Sequence, residues 1–310
     1  MALPRASELA RARLGIIAAS AVAVATGGTS GAVLGLLGGI AAAFVLEFVN
    51  DTIETRDDVK SMLGVPCLGI IPCHQGKSPL TQELEDAKSA VSDAYSEVIA
   101  ALRFSGAGSF KALLVTSASP AEGKSSSVLA MSQNYARRGE RVLLIDADLR
   151  RPAFASTSNL EGLTTLLSTA ESIRSHVVDT QHENLWLLPC GPIASNAADL
   201  FASPRFGAIL TEAKARFDRV IVDGPPMLGL ADASFLAEFV GQVMIVAESG
   251  RTRARCAHEV IERITSSGAQ IVGITITKSV ARASRKGYKI RRHRPVLSSG
   301  SLDFVSLARG

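Results

Sequence analysis

Beyond Phe110 the chain repeats one pattern: a short run of almost continuous apolar residues, then a longer stretch with helical spacing. KALLVTS, RVLLIDA, NLWLLPC, RVIVDG, QVMIVAE and QIVGITIT are six such runs, with helix-period segments near residues 124–138, 198–215 and 252–266 between them. A strand with one face in water alternates apolar and polar residues, whereas a strand covered on both faces is apolar throughout. Strand, helix, strand repetition therefore predicts an α/β fold with a mainly parallel sheet and helices on both sides. Ligands of such sheets bind beyond the carboxyl ends of the strands, so residues that carry chemistry are expected directly after these runs.

Three motifs occupy those places. After Leu113-Leu114-Val115 comes SASPAEGKSS, Ser117 to Ser126, followed by the helix-forming SVLAMSQNYARR. A loop of this kind between strand and helix wraps backbone N–H groups of Ser119, Ala121, Glu122, Gly123, Lys124, Ser125 and Ser126 around phosphates, with Lys124 reaching the β and γ oxygens and Ser125 meeting Mg2+. The strict P-loop pattern has glycine where this chain has Ala118. A lysine in the first turn opposes the helix dipole by about 0.3–1 kcal/mol unless an anion sits there. The second motif, RVLLIDADLRRP, places Asp146 and Asp148 two residues apart, on the same side of a strand end, where they can hold Mg2+ through water or accept a proton. The third, DRVIVDGPP, delivers Asp223 to another strand end ahead of Gly224-Pro225-Pro226, a Walker B layout. Taken singly, each has a plainer reading as a helix start, a cap or a solvated turn; the set together reads as an ATP and Mg2+ site. Arg150 and Arg151 follow the second motif as candidate phosphate contacts or as solvated surface charge.

The N-terminal region has a different solvent in mind. From Leu14 to Val49 the only charged residue is Glu47. A straight helix of that length would rise about 54 Å against a hydrocarbon layer of roughly 30 Å, and Gly27-Gly28-Thr29-Ser30-Gly31 offers a turn. The expectation is a helical hairpin, with a single span from about Gly31 to Val49 as the alternative, and Arg5, Arg11 and Arg13 held on the cytoplasmic side. The domain reading that follows is a membrane segment at 1–49, a juxtamembrane linker and helix at 50–105, a P-loop ATPase domain at 106–280 and a basic tail at 281–310. The linker holds a strand-like Val65 to Ile71 and a helix from about Gln82 to Phe104. Four cysteines form no C-x-x-C pair and read as reduced structural thiols, and five scattered histidines suggest no histidine-based metal site.

The motifs in order resemble the cytoplasmic domain of the bacterial tyrosine kinases (BY-kinases) and polysaccharide co-polymerases. The matching residues are S-x-S-P-x-E-G-K-S at Ser117 to Ser125, L-I-D-A-D-L-R-R-P at Leu144 to Pro152, V-D-G-P-P at Val222 to Pro226 and A-D-A at Ala231 to Ala233. FVNDTIETRDDVKSMLGVPCLGIIP is similar to the family's exit from its last transmembrane helix, and GPIASNAADLFASPRF to its segment ahead of Walker B, so the resemblance runs from about residue 32 to 288. It implies a P-loop NTPase fold of the MinD/ParA-like kind after a transmembrane segment. It also implies catalytic roles for Lys124, Asp146 and Asp148, with Asp146 the proton acceptor, and a metal shell of Ser125, Asp146, Asp148 and Asp223. The implied setting is the bacterial inner membrane, the ATPase domain facing the cytoplasm, with polysaccharide polymerase or export proteins and further copies of the chain as partners. Departures from the family are visible: its E-x-x-R-x-x-R helix is replaced by Asp93, Ser96 and Ile99, its large extracytoplasmic domain is missing, and its C-terminal tyrosine cluster is reduced to Tyr288 as phosphoacceptor.

Two other functions share these sites. A nucleotide switch gating a polysaccharide exporter needs no tyrosine. A cell-division or plasmid-partition ATPase has the same acidic strand ends, but carries a second lysine where this chain has Ser119. The tail from Ala281 holds eight basic residues against Asp303, more than the whole net charge of +4. It suits anionic membrane lipids, or is a solvated end. Nucleic acid is not expected, because no aromatic residues interleave with the charge.

Overall fold

The computed structural model describes residues 37–40, 51–74, 83–84, 86, 89–104, 110–154, 161–194 and 196–280. It divides into two compact units, Met1–Asp51 and Thr52–Gly310. In the first, residues 37–40 are helical. Among the described residues no helix is long and apolar enough to cross a membrane. Apart from residues 37–40, the expected membrane segment lies outside the described residues, as does the basic tail with Tyr288.

The second unit is built on one sheet. In chain order its elements are β1 (Cys67–Pro72), α1 (Ala90–Phe104), β2 (Ala112–Ser117), α2 (Lys124–Ala136), β3 (Val142–Asp146), α3 (Leu163–Ser168), β4 (Val178–Asp179) and β5 (Leu185–Leu188). They continue with α4 (Ala197–Ala202), α5 (Arg205–Arg216), β6 (Arg219–Asp223), α6 (Asp232–Val240), β7 (Gln242–Glu248), α7 (Ala254–Ser266) and β8 (Gln270–Ser279). The strands lie in the order β1-β8-β7-β2-β6-β3-β5-β4. Every pairing is parallel except that of β4 with β5.

The six expected runs are β2, β3, β5, β6, β7 and β8, and the strand-like segment after Val65 is β1. The near-continuous hydrophobicity has the cause inferred for it: every residue of β2 and of β3 is buried. Two clusters flank the sheet. Val91, Tyr95, Val98, Val128 and Met131 of α1 and α2 pack on one face with Leu113, Val115 and Leu144. Leu166, Phe206, Leu210, Leu236 and Val260 of α3, α5, α6 and α7 pack on the other with Leu114, Ile145 and Val222. Alternate strand residues thus feed opposite layers, as the two-residue period of a strand requires.

Helix boundaries differ from the sequence reading in physical detail. The stretch near 198–215 is two helices, because Ser203 turns to extended backbone and Pro204, whose ring nitrogen offers no hydrogen, caps the next helix. The segment ahead of the ATPase core is tied to it: β1 pairs with β8, and α1 lies against β1. That approach is close enough to need glycine, since a Cβ on Gly69 would fall 2.5 Å from Cγ2 of Val98. Thr55 caps the short helix Arg56–Asp58 through a reciprocal capping box with Asp58. Ile53 N–H donates to the Thr252 carbonyl at 2.9 Å, so residues just after the first unit are fastened to the loop after β7.

Candidate active site

The loop between β2 and α2 is shaped by its backbone. Ala121 has φ +65° and Gly123 φ +96°, left-handed values that turn successive N–H groups toward one concavity. Gly123 is required twice over: its φ disfavours any side chain, and a Cβ there would press on Thr277 Oγ1 at 3.3 Å. Lys124 then opens α2. Its side chain is buried against the sheet end, at 8% exposure.

What holds this loop comes from distant sequence. The Glu122 carboxylate turns inward, accepting the Ser119 N–H at 3.0 Å and the Thr252 hydroxyl at 2.6 Å. Burial raises the Glu122 carboxyl above its ordinary range, and those two donors with the Lys124 charge pull it back. Thr277 Oγ1 donates to the Glu122 carbonyl at 2.6 Å, and Lys278 Nζ to the Ala121 carbonyl at 2.6 Å. Ser117 Oγ donates to the Ser119 carbonyl at 2.7 Å. Glu122 was expected among the phosphate-cradling residues; its side chain fastens the loop, leaving only its backbone for a ligand. Thr252, Thr277 and Lys278 carry no sequence signal, since a strand-end threonine is common and only the fold brings them to residue 122.

The acids converge from the neighbouring strands. Asp146 and Asp223 are register partners on β3 and β6, and Asp223 is also paired in register with Val115 of β2. Asp146 Oδ2 accepts the N–H groups of Ala153 and Phe154 at 3.0 and 2.9 Å. Its Oδ1 faces the Asp148 N–H at 3.4 Å. Asp148 Oδ1 accepts the Arg151 N–H at 3.0 Å. Asp223 is 1% exposed, and neither of its oxygens completes a hydrogen bond. Burial pushes the Asp223 carboxyl up to about 7, against the Lys124 charge and the nearby Ser125 hydroxyl. Burial holds the Asp146 carboxyl well above its ordinary range, and the charge of Asp223 adds to it. Asp148 is raised by burial and drawn back by its backbone donors and Lys124.

A buried carboxylate without a donor is costly, and three acids raised together call for a cation. The orphaned oxygens of Asp223 beside Ser125 fit Mg2+, an oxygen-seeking ion that keeps several of its waters. Lys124 and the free first-turn amides of α2 fit phosphate. The loop after Asp223 is pinned to the same strand: Gly224 N–H donates to Val115 O at 3.0 Å, Met227 N–H to Ser117 O at 2.8 Å, and Thr116 Oγ1 to Pro225 O at 2.7 Å.

Arg150 and Arg151 part company. Arg150 Nε donates to Asp232 Oδ2 at 2.8 Å, a buried carboxylate at the first turn of α6, whereas Arg151 is exposed. The aspartate of the A-D-A motif is thus an anchor for the segment after Asp148. Cys190, beside the acids, has its thiol pushed up to about 12 by burial and by the Asp146 charge, which keeps it a protonated structural group. Of the expected site residues, Ser119 through Ser126 and the three aspartates come together at the ends of β2, β3 and β6; Tyr288 lies outside the described residues.

The chain is similar to known proteins. The model of the AAA domain family matches residues 120–267. Tyrosine-protein kinase YwqD of Bacillus subtilis is 32% identical over 210 residues, 66% of this chain and 89% of that protein. The putative tyrosine-protein kinase CapB of Staphylococcus aureus is 28% identical over 195 residues, 62% of this chain and 86% of its own length. The crystal structure of the chimerical protein CapA2B2 superposes with a TM-score of 0.65 at 28% identity, over 72% of this chain and 99% of that one. The chain therefore belongs to the bacterial tyrosine-protein kinases, a family of P-loop ATPase fold.

Proposed function

We propose that this chain binds Mg2+-ATP at the ends of β2, β3 and β6, transfers phosphate to its own tyrosine, and so regulates exopolysaccharide polymerisation or export at the bacterial inner membrane. One observation carries the reading: Asp223 presents two buried, unpaired oxygens beside Asp146 and Lys124, an arrangement that costs stability unless a metal and phosphates fill it. The first-turn amides of α2 and Lys124 bind the β and γ oxygens. Ser125 and Asp223 would hold the metal, with Asp148 supporting them from the end of β3. When bound, Mg2+ neutralises charge on the transferring phosphoryl group. Asp146 accepts the tyrosine proton through Oδ1, since Oδ2 is committed to Ala153 and Phe154. Burial of these acids keeps water from competing as acceptor.

The choice of acceptor follows from the other tyrosines. The chain has three. Tyr95 is 3% exposed, its hydroxyl 3.0 Å from Ser127 Oγ, and Tyr135 is 1% exposed. Burial pushes both phenols up to about 12. Neither can reach a phosphoryl group in line, so Tyr288 in the basic tail is the acceptor, delivered to the site of a second copy. Residues 1–49 anchor the chain in the membrane as a helical segment, and the tail's cations meet anionic lipid between turnovers. The resemblance to polysaccharide co-polymerases supports polymerase or export proteins as partners.

A second reading, an ATP-driven switch that gates an exporter without phosphorylating itself, is favoured by the burial of two of the three tyrosines. Incubation of the full chain with Mg2+-ATP and phosphopeptide mapping separates them. The kinase reading expects phosphotyrosine at position 288, absent from Tyr288→Phe and Lys124→Met. ATP hydrolysis without phosphotyrosine in the wild type establishes the switch.

A further inference from the structure

The described residues hold one group of acid, histidine or thiol side chains whose ligand atoms all lie within 4.8 Å of one another, and it is not at the nucleotide site: Glu161, Glu171 and His176. His176 follows the 3-10 turn Ile173–Ser175, and the two glutamates flank α3. The His176 ring is fully buried, while Glu161 and Glu171 are 74% and 54% exposed. His176 Nε2 is buried without a hydrogen bond and points between the two carboxylates, 3.4 Å from an oxygen of each.

Hydrogen bonding sets the tautomer of this ring. Ser175 Oγ donates its one hydrogen to the Ser172 carbonyl at 3.1 Å. With that hydrogen on the carbonyl, Ser175 Oγ accepts from His176 Nδ1, 2.9 Å away, and this is the tautomer in which Nε2 is free to bind a metal. Nε2 is left with its lone pair facing two negative oxygens, which repel it unless a cation lies between. A proton on Nε2 would draw the carboxylates to the 2.7–2.9 Å typical of charge-assisted N–H···O bonds. The observed 3.4 Å is instead the edge of a tetrahedron: ligands at the usual 2.0–2.1 Å from zinc stand about 3.3–3.4 Å apart. A hydrogen-bond acceptor for the far ring nitrogen, here Ser175, is the usual companion of a metal-bound histidine. Glu171 is placed by its backbone, whose carbonyl accepts from the Arg205 guanidinium.

We propose that Glu161, Glu171 and His176 bind a divalent transition metal of the zinc class, with a fourth position open to solvent. The ion ties together the two ends of the α3 segment. That segment is fastened to the strand-end region beside the acids, since Leu163 N–H donates to Pro189 O at 2.8 Å and Thr164 N–H to Cys190 O at 2.9 Å. The role assigned is structural, bracing the turn that carries α3 and His176. The scattered histidines gave no sign of it, because residues 161, 171 and 176 match no spacing motif.

The test is zinc binding to the full chain in excess Mg2+, which occupies oxygen-only sites, for the wild type and for the exposed-residue variants Glu161→Gln and Glu171→Gln, with His176→Gln as a third. The expected result is one zinc per chain, weakened at least about tenfold by each glutamate substitution. Mg2+-ADP affinity should be unchanged in both glutamate variants, reporting an intact fold. Cobalt in place of zinc should show tetrahedral absorption without a thiolate charge-transfer band. Zinc affinity equal in the wild type and the glutamate variants, no zinc retained by the wild type, or a thiolate band that assigns the ion to cysteines would each overturn the site.

Discussion

Asp146 and Asp223 stand opposite each other in register on adjacent parallel strands, and the first spends an oxygen on backbone N–H groups while the second spends none. On the proposed mechanism that asymmetry gives them different tasks, one fixed in place for proton transfer and one open to metal. It also makes the metal-free protein pay for its site.

Asp223→Asn should therefore stabilise the protein in chelator at neutral pH by about 1–3 kcal/mol, because the amide stays neutral where burial penalises the charged carboxylate, while lowering Mg2+ affinity. The folded carboxyl of Asp223, at about 7, lies above its ordinary 3.8, so the folded state holds a proton that the unfolded chain releases. Metal-free stability should fall as pH rises from about 4 to about 7 and should fall less in the variant. Denaturant melts across that range check both; a variant less stable than the wild type in chelator would contradict the account.

Thr252→Val leaves one oxygen of Glu122 buried without its donor, though 130 residues separate the pair in sequence. The expected loss is about 1–3 kcal/mol, accompanied by weaker ATP binding as the loop loosens. Equilibrium unfolding and nucleotide titration should move together. A destabilised variant that binds ATP normally would mean the contact does not shape the loop.

Arg150→Ala and Arg151→Ala discriminate anchor from surface. Removing Arg150 strands the buried Asp232 carboxylate, and because the guanidinium is itself 38% exposed the cost should be about 1–2 kcal/mol, below that of a fully buried pair. Arg151→Ala should stay within about 0.5 kcal/mol. Thermal melts in the absence of nucleotide give the comparison.

Much of this was legible from the chain. Leu143-Leu144-Ile145 and Val220-Ile221-Val222 read as buried strands because parallel strands covered on both faces have no polar side, and the acids had to follow them. The glycine-lysine-serine loop was legible because backbone turning and phosphate charge both demand those residue types. What was hidden depends on contacts between distant positions. The two-residue β4 has too few side chains to form a pattern, α3 and α6 are short, and β1 gave no sign that it completes the sheet through β8. Glu122 with Thr252 and Arg150 with Asp232 meet only once the sheet order is known, and the Glu161, Glu171 and His176 group only once the chain has turned around α3.

Lys124→Met tests the phosphate assignment without disturbing the fold, since methionine keeps the aliphatic stem buried and removes the charge. The thermal midpoint should hold while ATP turnover is lost. Turnover at the wild-type rate would remove Lys124 from the site.

On the proposed mechanism the strand-end acids perform phosphoryl chemistry and do not merely retain nucleotide. Asp146→Asn is the direct test, because an amide oxygen can keep both backbone hydrogen bonds from Ala153 and Phe154 while the proton-accepting oxygen is lost. The measurement is single-turnover transfer from Mg2+-ATP alongside Mg2+-ADP affinity. The account predicts a rate about 10²–10⁴-fold lower with affinity changed no more than a few-fold. Equal losses in rate and affinity would make Asp146 a simple metal holder, and an unchanged rate would contradict the mechanism outright.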